Sequence, residues 1–198
     1  MSIDFEKIEV GYMQENCYIV IDTDSKEGVI IDPGADALKI SEWIDKNGIN
    51  VKYILLTHGH YDHTGAVDDL LSNYQVPLLM NKKDYDMIET NADVFGKINS
   101  QKPERFINDG DEIYLGSSVI KCISTPGHSA GGMCFLTNDL LFAGDTLFYS
   151  SMGRWDLPGG DYNTLMNSIR NKLLVLPENT KVMPGHGPNT LIKNEKRY

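Results

Sequence analysis

The chain predicts a mixed α+β fold in which two β-sheets pack face to face with helices on the outside. Three observations carry this. Strand-length apolar runs come in consecutive groups broken by amphipathic helical stretches, which suits layered sheets rather than a bundle or an all-β sandwich. No repeat, low-complexity tract or Pro/Gly/Ser linker divides the 198 residues, so one domain over 1–198 is expected. At 41% hydrophobic and 23% charged residues, the composition is that of a globular chain able to bury a full core.

Taken in order, residues 18–21 (Tyr-Ile-Val-Ile) and 28–31 (Gly-Val-Ile-Ile) read as adjacent strands, the second ending at Asp32-Pro33-Gly34. Residues 36–47 fit a helix that places Ala37, Ile40, Trp43 and Ile44 on one face, with Gly48 where a helix stops. The strand at 51–56 runs straight into a histidine cluster, followed by a short helix with Val67, Leu70 and Leu71 inward. The stretch 82–102 is expected to be helical or irregular. Strands follow at 112–115, 119–124, 133–137 and 140–142, joined by Gly- or Asn-Asp-containing turns. A helix starts near Asp161, a suitable N-cap, with Tyr162, Leu165, Met166, Ile169 and Leu173 at helical spacing and Met166 in the core. A last strand at 180–183 leads into Pro184-Gly185-His186-Gly187.

The net charge of −10 and the lack of a basic stripe exclude a nucleic-acid binder. Lys82-Lys83 and the tail residues Lys193, Lys196 and Arg197 are expected on solvated surface. No apolar run approaches the ~18 residues of a membrane span, and the N-terminal residues lack the pattern of a signal peptide. Cys17, Cys122 and Cys134 are scattered and odd in number. They predict buried thiols in a reduced, cytoplasmic setting rather than a disulfide framework. The expected partner is a small-molecule substrate, with no nucleic acid and no membrane, and the oligomeric state is left open.

Function is written in the placement of five histidines. Three lie in His58-Gly59-His60-Tyr61-Asp62-His63, and His128 and His186 each follow a Pro-Gly pair. In extended chain, His58 and His60 project to one side and can reach one ion. Asp62 and His63 begin the next helix and face elsewhere, toward a second ion. Three imidazoles and a carboxylate this close disfavour protonation and call for a shared cation. One histidine from each Pro-Gly-His loop completes three protein ligands per ion. Asp145, in a Gly-Asp-Thr turn, can bridge the pair. Open positions then remain for water, as in a catalytic rather than a structural site. His58, His128, Asp145 and His186 all fall at or just past the ends of expected strands, where rigid sheets present catalytic loops.

The set His-x-His-x-Asp-His, Thr125-Pro126-Gly127-His128, Ala143-Gly144-Asp145-Thr146-Leu147-Phe148 and Pro184-Gly185-His186-Gly187 resembles the metallo-β-lactamase fold hydrolases. Asn16-Cys17-Tyr18, Ile31-Asp32-Pro33-Gly34 and Leu56-Thr57-His58-Gly59-His60 extend the likeness over nearly the whole chain. It implies an αββα four-layer sandwich with two metals at one edge of the sheets. It also implies His58, His60 and His128 on the first metal, Asp62, His63 and His186 on the second, and Asp145 between them. Asp145 and the segment 153–160 (Gly-Arg-Trp-Asp-Leu-Pro-Gly-Gly) bring the chain nearest to glyoxalase II and its small relatives, which hydrolyse thioesters such as S-lactoylglutathione. No counterpart of the helical C-terminal domain that helps glyoxalase II bind glutathione is expected in the short stretch after Gly187, so the thiol carrier stays open.

The implied reaction is attack by a hydroxide shared between two divalent ions, with Asp62 and Asp145 as the catalytic carboxylates. Zinc is the favoured metal, and iron or manganese also suit imidazole and carboxylate. Asp32 and Thr57 are candidates to orient the ligands. Arg154 is expected to pair with Asp156, and Tyr61 and Tyr149 to serve in packing. The alternatives are a mononuclear iron persulfide dioxygenase and an acyl-homoserine lactonase. The bridging Asp145 argues against a metallo-β-lactamase, His60 against a flavodiiron reductase, and the acidic surface against an RNA-processing relative. A non-enzymatic metal-binding module is opposed by the open ligand positions.

Overall fold

The computed structural model describes residues 3–197. Six strands form the first sheet in chain order: β1 (Ile3–Val10), β2 (Glu15–Asp22), β3 (Glu27–Ile31), β4 (Asn50–Leu55), β5 (Leu78–Met80) and β6 (Arg105–Phe106). β1 to β3 pair antiparallel, and β3 to β6 pair parallel. Parallel neighbours need crossovers, supplied by α1 (Ala37–Asn47), α2 (Tyr61–Thr64) with α3 (Val67–Tyr74), and α4 (Lys82–Glu89).

The second half holds β7 (Glu112–Leu115), β8 (Ser118–Ser124), β9 (Met133–Thr137) and β10 (Leu140–Gly144), then a hairpin of β11 (Leu147–Phe148) and β12 (Ser151–Met152). Helix α5 (Tyr162–Ser168) runs into a π-helical turn, Ile169–Leu173, before β13 (Lys181–Pro184) and β14 (Thr190–Leu191). The second six-stranded sheet has the order β14-β13-β10-β9-β8-β7.

Three apolar layers bind these elements. Cys17, Ile19 and Ile21 of β2 pack with Ile40, Ile44, Val67 and Leu70 of the helices on the outside of the first sheet. Tyr18 and Val20, on the opposite face of the same strand, meet Ile120, Phe135 and Phe142 between the sheets. Leu141 and Val182 pack against Leu165, Ile169 and Leu173 behind the second sheet. The result is the αββα sandwich. It explains why β2 is buried throughout: a strand covered on both faces reads as a continuous apolar run. Each fully buried Ile or Leu in these layers contributes roughly 1.5–3 kcal/mol.

The caps follow the sequence. Gly48 ends α1 in the left-handed region at φ 64°, its N–H reaching the carbonyls of Ile44 and Asp45. Asp161 caps α5 by accepting the Thr164 N–H at 2.8 Å. Asp36 precedes α1, but its carboxylate accepts the Gly11 N–H at 2.9 Å instead of capping the helix.

Several strands escape periodicity. β1 turns Ile3 and Phe5 toward the inter-sheet layer and Ile8 and Val10 toward the helix layer, so its alternation switches face midway. β5, β6, β11, β12 and β14 have two or three residues each, too few to show a period. The 82–102 stretch divides into α4 and irregular chain. Cys17, Cys122 and Cys134 are free and buried, and Met166 lies in the core. Among the described residues no helix is long and apolar enough to cross a membrane.

Candidate metal centre

Strands β4, β8, β10 and β13 end at one edge of the sandwich. β10 and β13 are parallel, and β8 runs the same way because β9 is antiparallel to both β8 and β10. The loops after these strands carry His58 and His60, His128, Asp145 and His186, and α2 adds Asp62 and His63. All seven side chains singled out from the sequence meet here.

They meet as two sets. Ring nitrogens of His58, His60 and His128 lie within 4.8 Å of one another, as do donor atoms of Asp62, His63 and His186. His60 Nδ1 and His128 Nε2 are 3.0 Å apart, and His186 Nε2 is 3.1 Å from Asp62 Oδ2. Asp145 spans the two. Its Oδ2 is 3.6 Å from His128 Nε2 and its Oδ1 3.4 Å from His63 Nε2.

Neighbouring acceptors fix four of the five rings by taking the Nδ1 side. His128 Nδ1 donates to the Arg154 carbonyl at 2.7 Å and His186 Nδ1 to the Met13 carbonyl at 3.2 Å. His63 Nδ1 donates to Asp32 Oδ2 at 3.1 Å. His58 Nδ1 meets Thr57 Oγ1 at 3.0 Å, and that hydroxyl donates in turn to Asp32. The network therefore assigns a proton to Nδ1 and turns Nε2 inward, the arrangement that outer acceptors give metal-binding imidazoles. On His63 and His186 the facing carboxylates favour a second proton on Nε2, which a cation would displace. His58 Nε2, His63 Nε2 and Asp145 Oδ1 are buried with no hydrogen-bond partner among the described residues. Buried polar atoms are rarely left so, and inward lone pairs on a neutral imidazole and a carboxylate are the donors a divalent cation takes. The residues fit such an ion in each set.

Charge separates the sets. Burial, followed by the neighbouring histidines, pushes His58 well below the usual imidazole range and His60 down to about 3. Burial also opposes the charge on His63, yet Asp145 and Asp32 outweigh it and raise this ring well above its usual value. His186 is raised despite burial, through Asp62 and then Asp145. Burial opposes ionisation of Asp62 and Asp145 too, but His186 and His63 hold the first low and His63 chiefly lowers the second.

The loops owe their close approach to support that sequence reading partly missed. Asn16 Nδ2 donates to the carbonyls of Pro184 and Gly187 at 2.9 Å, and Tyr18 Oη to Pro184 at 2.8 Å, so the Asn-Cys-Tyr motif anchors the His186 loop. Gly185 has no room for a side chain, because an added Cβ would lie 2.6 Å from His63 Cε1 and closer still to the Asp145 carboxylate. Asp84 gave no sequence signal, yet it is buried and accepts the Gly59 N–H at 2.9 Å and the Gly131 N–H at 2.5 Å. It ties the His58/His60 loop to the His128 loop. Glu15, also missed, is buried beside His63. A charged residue opening an apolar strand was the available clue.

Above the centre opens a cavity of about 410 Å³, with His60, Asp62, Asp145 and His186 on its floor. Met13, Val94, Phe148 and Leu157 make the walls apolar. Tyr61 is 41% exposed and lines this cavity, its hydroxyl 3.2 Å from that of Tyr12. The expected packing role for Tyr61 is thus corrected: as the first residue of α2 it faces the open cavity. Tyr149 is 55% exposed and is likewise no packing residue. Arg154 lines the wall and pairs with Asp156 through two 2.8 Å bonds, as expected.

The profile of the Metallo-beta-lactamase superfamily matches residues 10–186. The chain belongs to that superfamily. It is 37% identical to hydroxyacylglutathione hydrolase GloC of Haemophilus influenzae, an alignment covering 98% of this chain and 96% of that protein. Among solved structures, BLEG-1 B3 metallo-beta-lactamase superposes with a TM-score of 0.87 at 34% identity, covering 98% of this chain and 97% of that one. TTHA1623 in a di-iron-bound form gives 0.86 at 34% identity, covering 97% of each chain. Superfamily membership carries divalent-metal binding and metallo-hydrolase chemistry as the general frame. The di-iron neighbour leaves the metal open, and the lactamase neighbour leaves the substrate open.

Proposed function

We propose that this chain is a binuclear metal-dependent hydrolase of thioesters, S-lactoylglutathione or a related thiol conjugate being the substrate class. In this reading His58, His60 and His128 hold one ion, Asp62, His63 and His186 hold the other, and Asp145 joins them. The observation that carries it is the Asp145 carboxylate, which lies between the ligand sets, Oδ1 3.4 Å from His63 Nε2 and Oδ2 3.6 Å from His128 Nε2 and 3.8 Å from His186 Nε2. Zinc is the favoured metal.

Bound divalent ions would lower the pKa of water from ~15.7 to near ~7 and polarise the substrate carbonyl. The protein does the rest. Asp145 keeps the two sets in register. Asp62, part-buried at the cavity floor and held by His186, orients the nucleophile. The apolar walls receive the acyl and thiol portions and exclude bulk water. The leaving thiolate, with a conjugate-acid pKa of about 8.5, departs without a proton donor. That suits a centre in which each of the five histidines belongs to a ligand set. The similarity to hydroxyacylglutathione hydrolase GloC supports the thioester.

The test pairs metal analysis of the purified protein with a substrate panel of S-lactoylglutathione, a second thioester, an acyl-homoserine lactone, a β-lactam and glutathione persulfide. Two zinc ions per chain with thioester turnover is the expected result. One iron per chain with persulfide-dependent oxygen uptake would replace the reading, as would lactam or lactone turnover without thioester turnover.

A further inference from the structure

Glu15 is the most anomalous side chain near the centre. It opens β2, is 1% exposed, and neither carboxylate oxygen has a hydrogen-bond partner among the described residues. Its backbone forms an isolated bridge with His186, and the next residue anchors the His186 loop, so the backbone that carries the side chain is fixed in place. Oε1 lies 3.6 Å from His63 Nδ1, the nitrogen that already donates to Asp32. The other charged groups that act on it are Asp32, Asp62 and Asp145, all carboxylates.

A buried carboxylate without donors is costly, and like charges around it increase the cost. Among the described residues, one imidazole, that of His63, offsets it. A divalent cation held by Asp62, His63 and His186 would offset it further, because it brings positive charge to the far side of the same ring. Carboxylates behind a ligating imidazole orient it and raise its basicity.

Resting on the binuclear reading, we propose that Glu15 is a positioning residue for the second ion. It backs His63 together with Asp32 and supplies buried negative charge that tightens the hold of Asp62, His63 and His186 on a divalent cation. This predicts opposite signs for metal affinity and for stability without metal, which a merely structural carboxylate would not show.

The test uses the full, metal-loaded chain and Glu15→Gln, which keeps the shape and removes the charge. Metal per chain is measured under graded chelator, and the melting temperature is measured with and without excess chelator. The variant is expected to keep the first ion and to release the second with an affinity on the order of 10–100-fold weaker. In excess chelator it is expected to melt above the wild type, because the cost of burying an ionisable carboxyl among other carboxylates is gone. Asp32→Asn is the contrast. Asp32 accepts from Thr57 N, Thr57 Oγ1 and His63 Nδ1, so this variant is expected to lose both metal and stability. Should Glu15→Gln fold poorly, Glu15→Met carries the same two expectations. Unchanged second-ion affinity, or lower stability in chelator for both Glu15 variants, overturns the role of Glu15 and leaves the binuclear reading standing. A wild-type chain that binds fewer than two ions overturns both.

Discussion

The two ligand sets share Asp145 and differ in almost everything else. His58, His60 and His128 form a group of imidazoles buried at the sandwich edge, with no carboxylate among them. Asp62, His63 and His186 interleave imidazoles with carboxylates, and His186 keeps 25% of its side chain exposed at the cavity floor. Imidazole is pushed down at His58 and His60, by burial and then by neighbouring rings, and up at His63 and His186, where carboxylates outweigh burial. One half is prepared as neutral donors and the other as paired ions, so two cations would meet different competition from protons and from solvent.

Removing the shared residue is expected to have the largest effect, because it strikes both halves. Asp145→Ala should lower kcat/KM for a thioester on the order of 10³-fold or more, since losing ~4 kcal/mol of transition-state stabilisation is worth that much. Circular dichroism should show the fold retained. Near-normal turnover in this variant at full metal loading would break the proposed assignment of Asp145 as the joint.

Acid should split the halves. His60 is neutral down to about 3 and His58 is also held low, so protons do not compete for these two rings in mildly acidic solution. His63 and His186 are raised and carry protons that a cation must displace, costing about tenfold in affinity per pH unit for each proton. Asp62 and Asp145 are lowered and stay ionised through this range. Equilibrium dialysis is expected to find two ions per chain near pH 8 and one near pH 6. Without metal the sign reverses. The stability that His63 draws from Asp145 and Asp32 is full below its unfolded value of 6.5 and is lost as pH rises through its higher folded value. Equal loss of both ions on acidification would refute the contrast.

A smaller effect should come from Asp84, the brace of the first half. Asp84→Asn turns an amide N–H group toward either Gly59 N or Gly131 N and leaves that donor unpaired. The expected outcome is a 10–100-fold weaker first ion with the second retained, read as metal per chain under graded chelator at pH 8. Loss of the second ion first would mean that the brace acts elsewhere.

These differences also mark what the sequence could reveal. Ligands come from a small set of residue types at spacings the backbone makes meaningful, so His58-x-His60-x-Asp62-His63 and the two Pro-Gly-His loops were legible. The layers were legible where a strand is buried on both faces, as in β2, and where caps are local, as at Gly48 and Asp161. Glu15 and Asp84 were not. Their roles exist only through contacts across the fold, His63 to Glu15 over 48 positions of chain and Gly131 to Asp84 over 47, and one carboxylate in a sequence looks like any other. The cavity walls were hidden for the same reason. Met13 and Val94 come from two separate loops and Phe148 from β11, and apolar residues carry no mark of the surface they will line.

The smallest change belongs at Gly59, between His58 and His60. A Cβ there would lie 2.9 Å from Phe95 Cδ1 and 3.2 Å from Ile88 Cδ1, both side-chain atoms with freedom to yield. At Gly185 the obstacles are the Asp145 carboxylate, the His63 ring and the Gly144 backbone, none of which can move without disturbing the centre. Phe95 also packs edge-on against His60, with ring centroids 4.8 Å apart, so displacing it tilts one ligand of the first half only. Gly59→Ala is therefore expected to lower stability by about 1 kcal/mol, the low end for mild overpacking. It should weaken the first ion by less than tenfold and leave the second unchanged. Thermal melts and graded chelation check both expectations. Collapse of first-ion binding in this variant would show that the wall behind His60 is as rigid as the wall behind His63, and the two halves would then differ in charge but not in compliance.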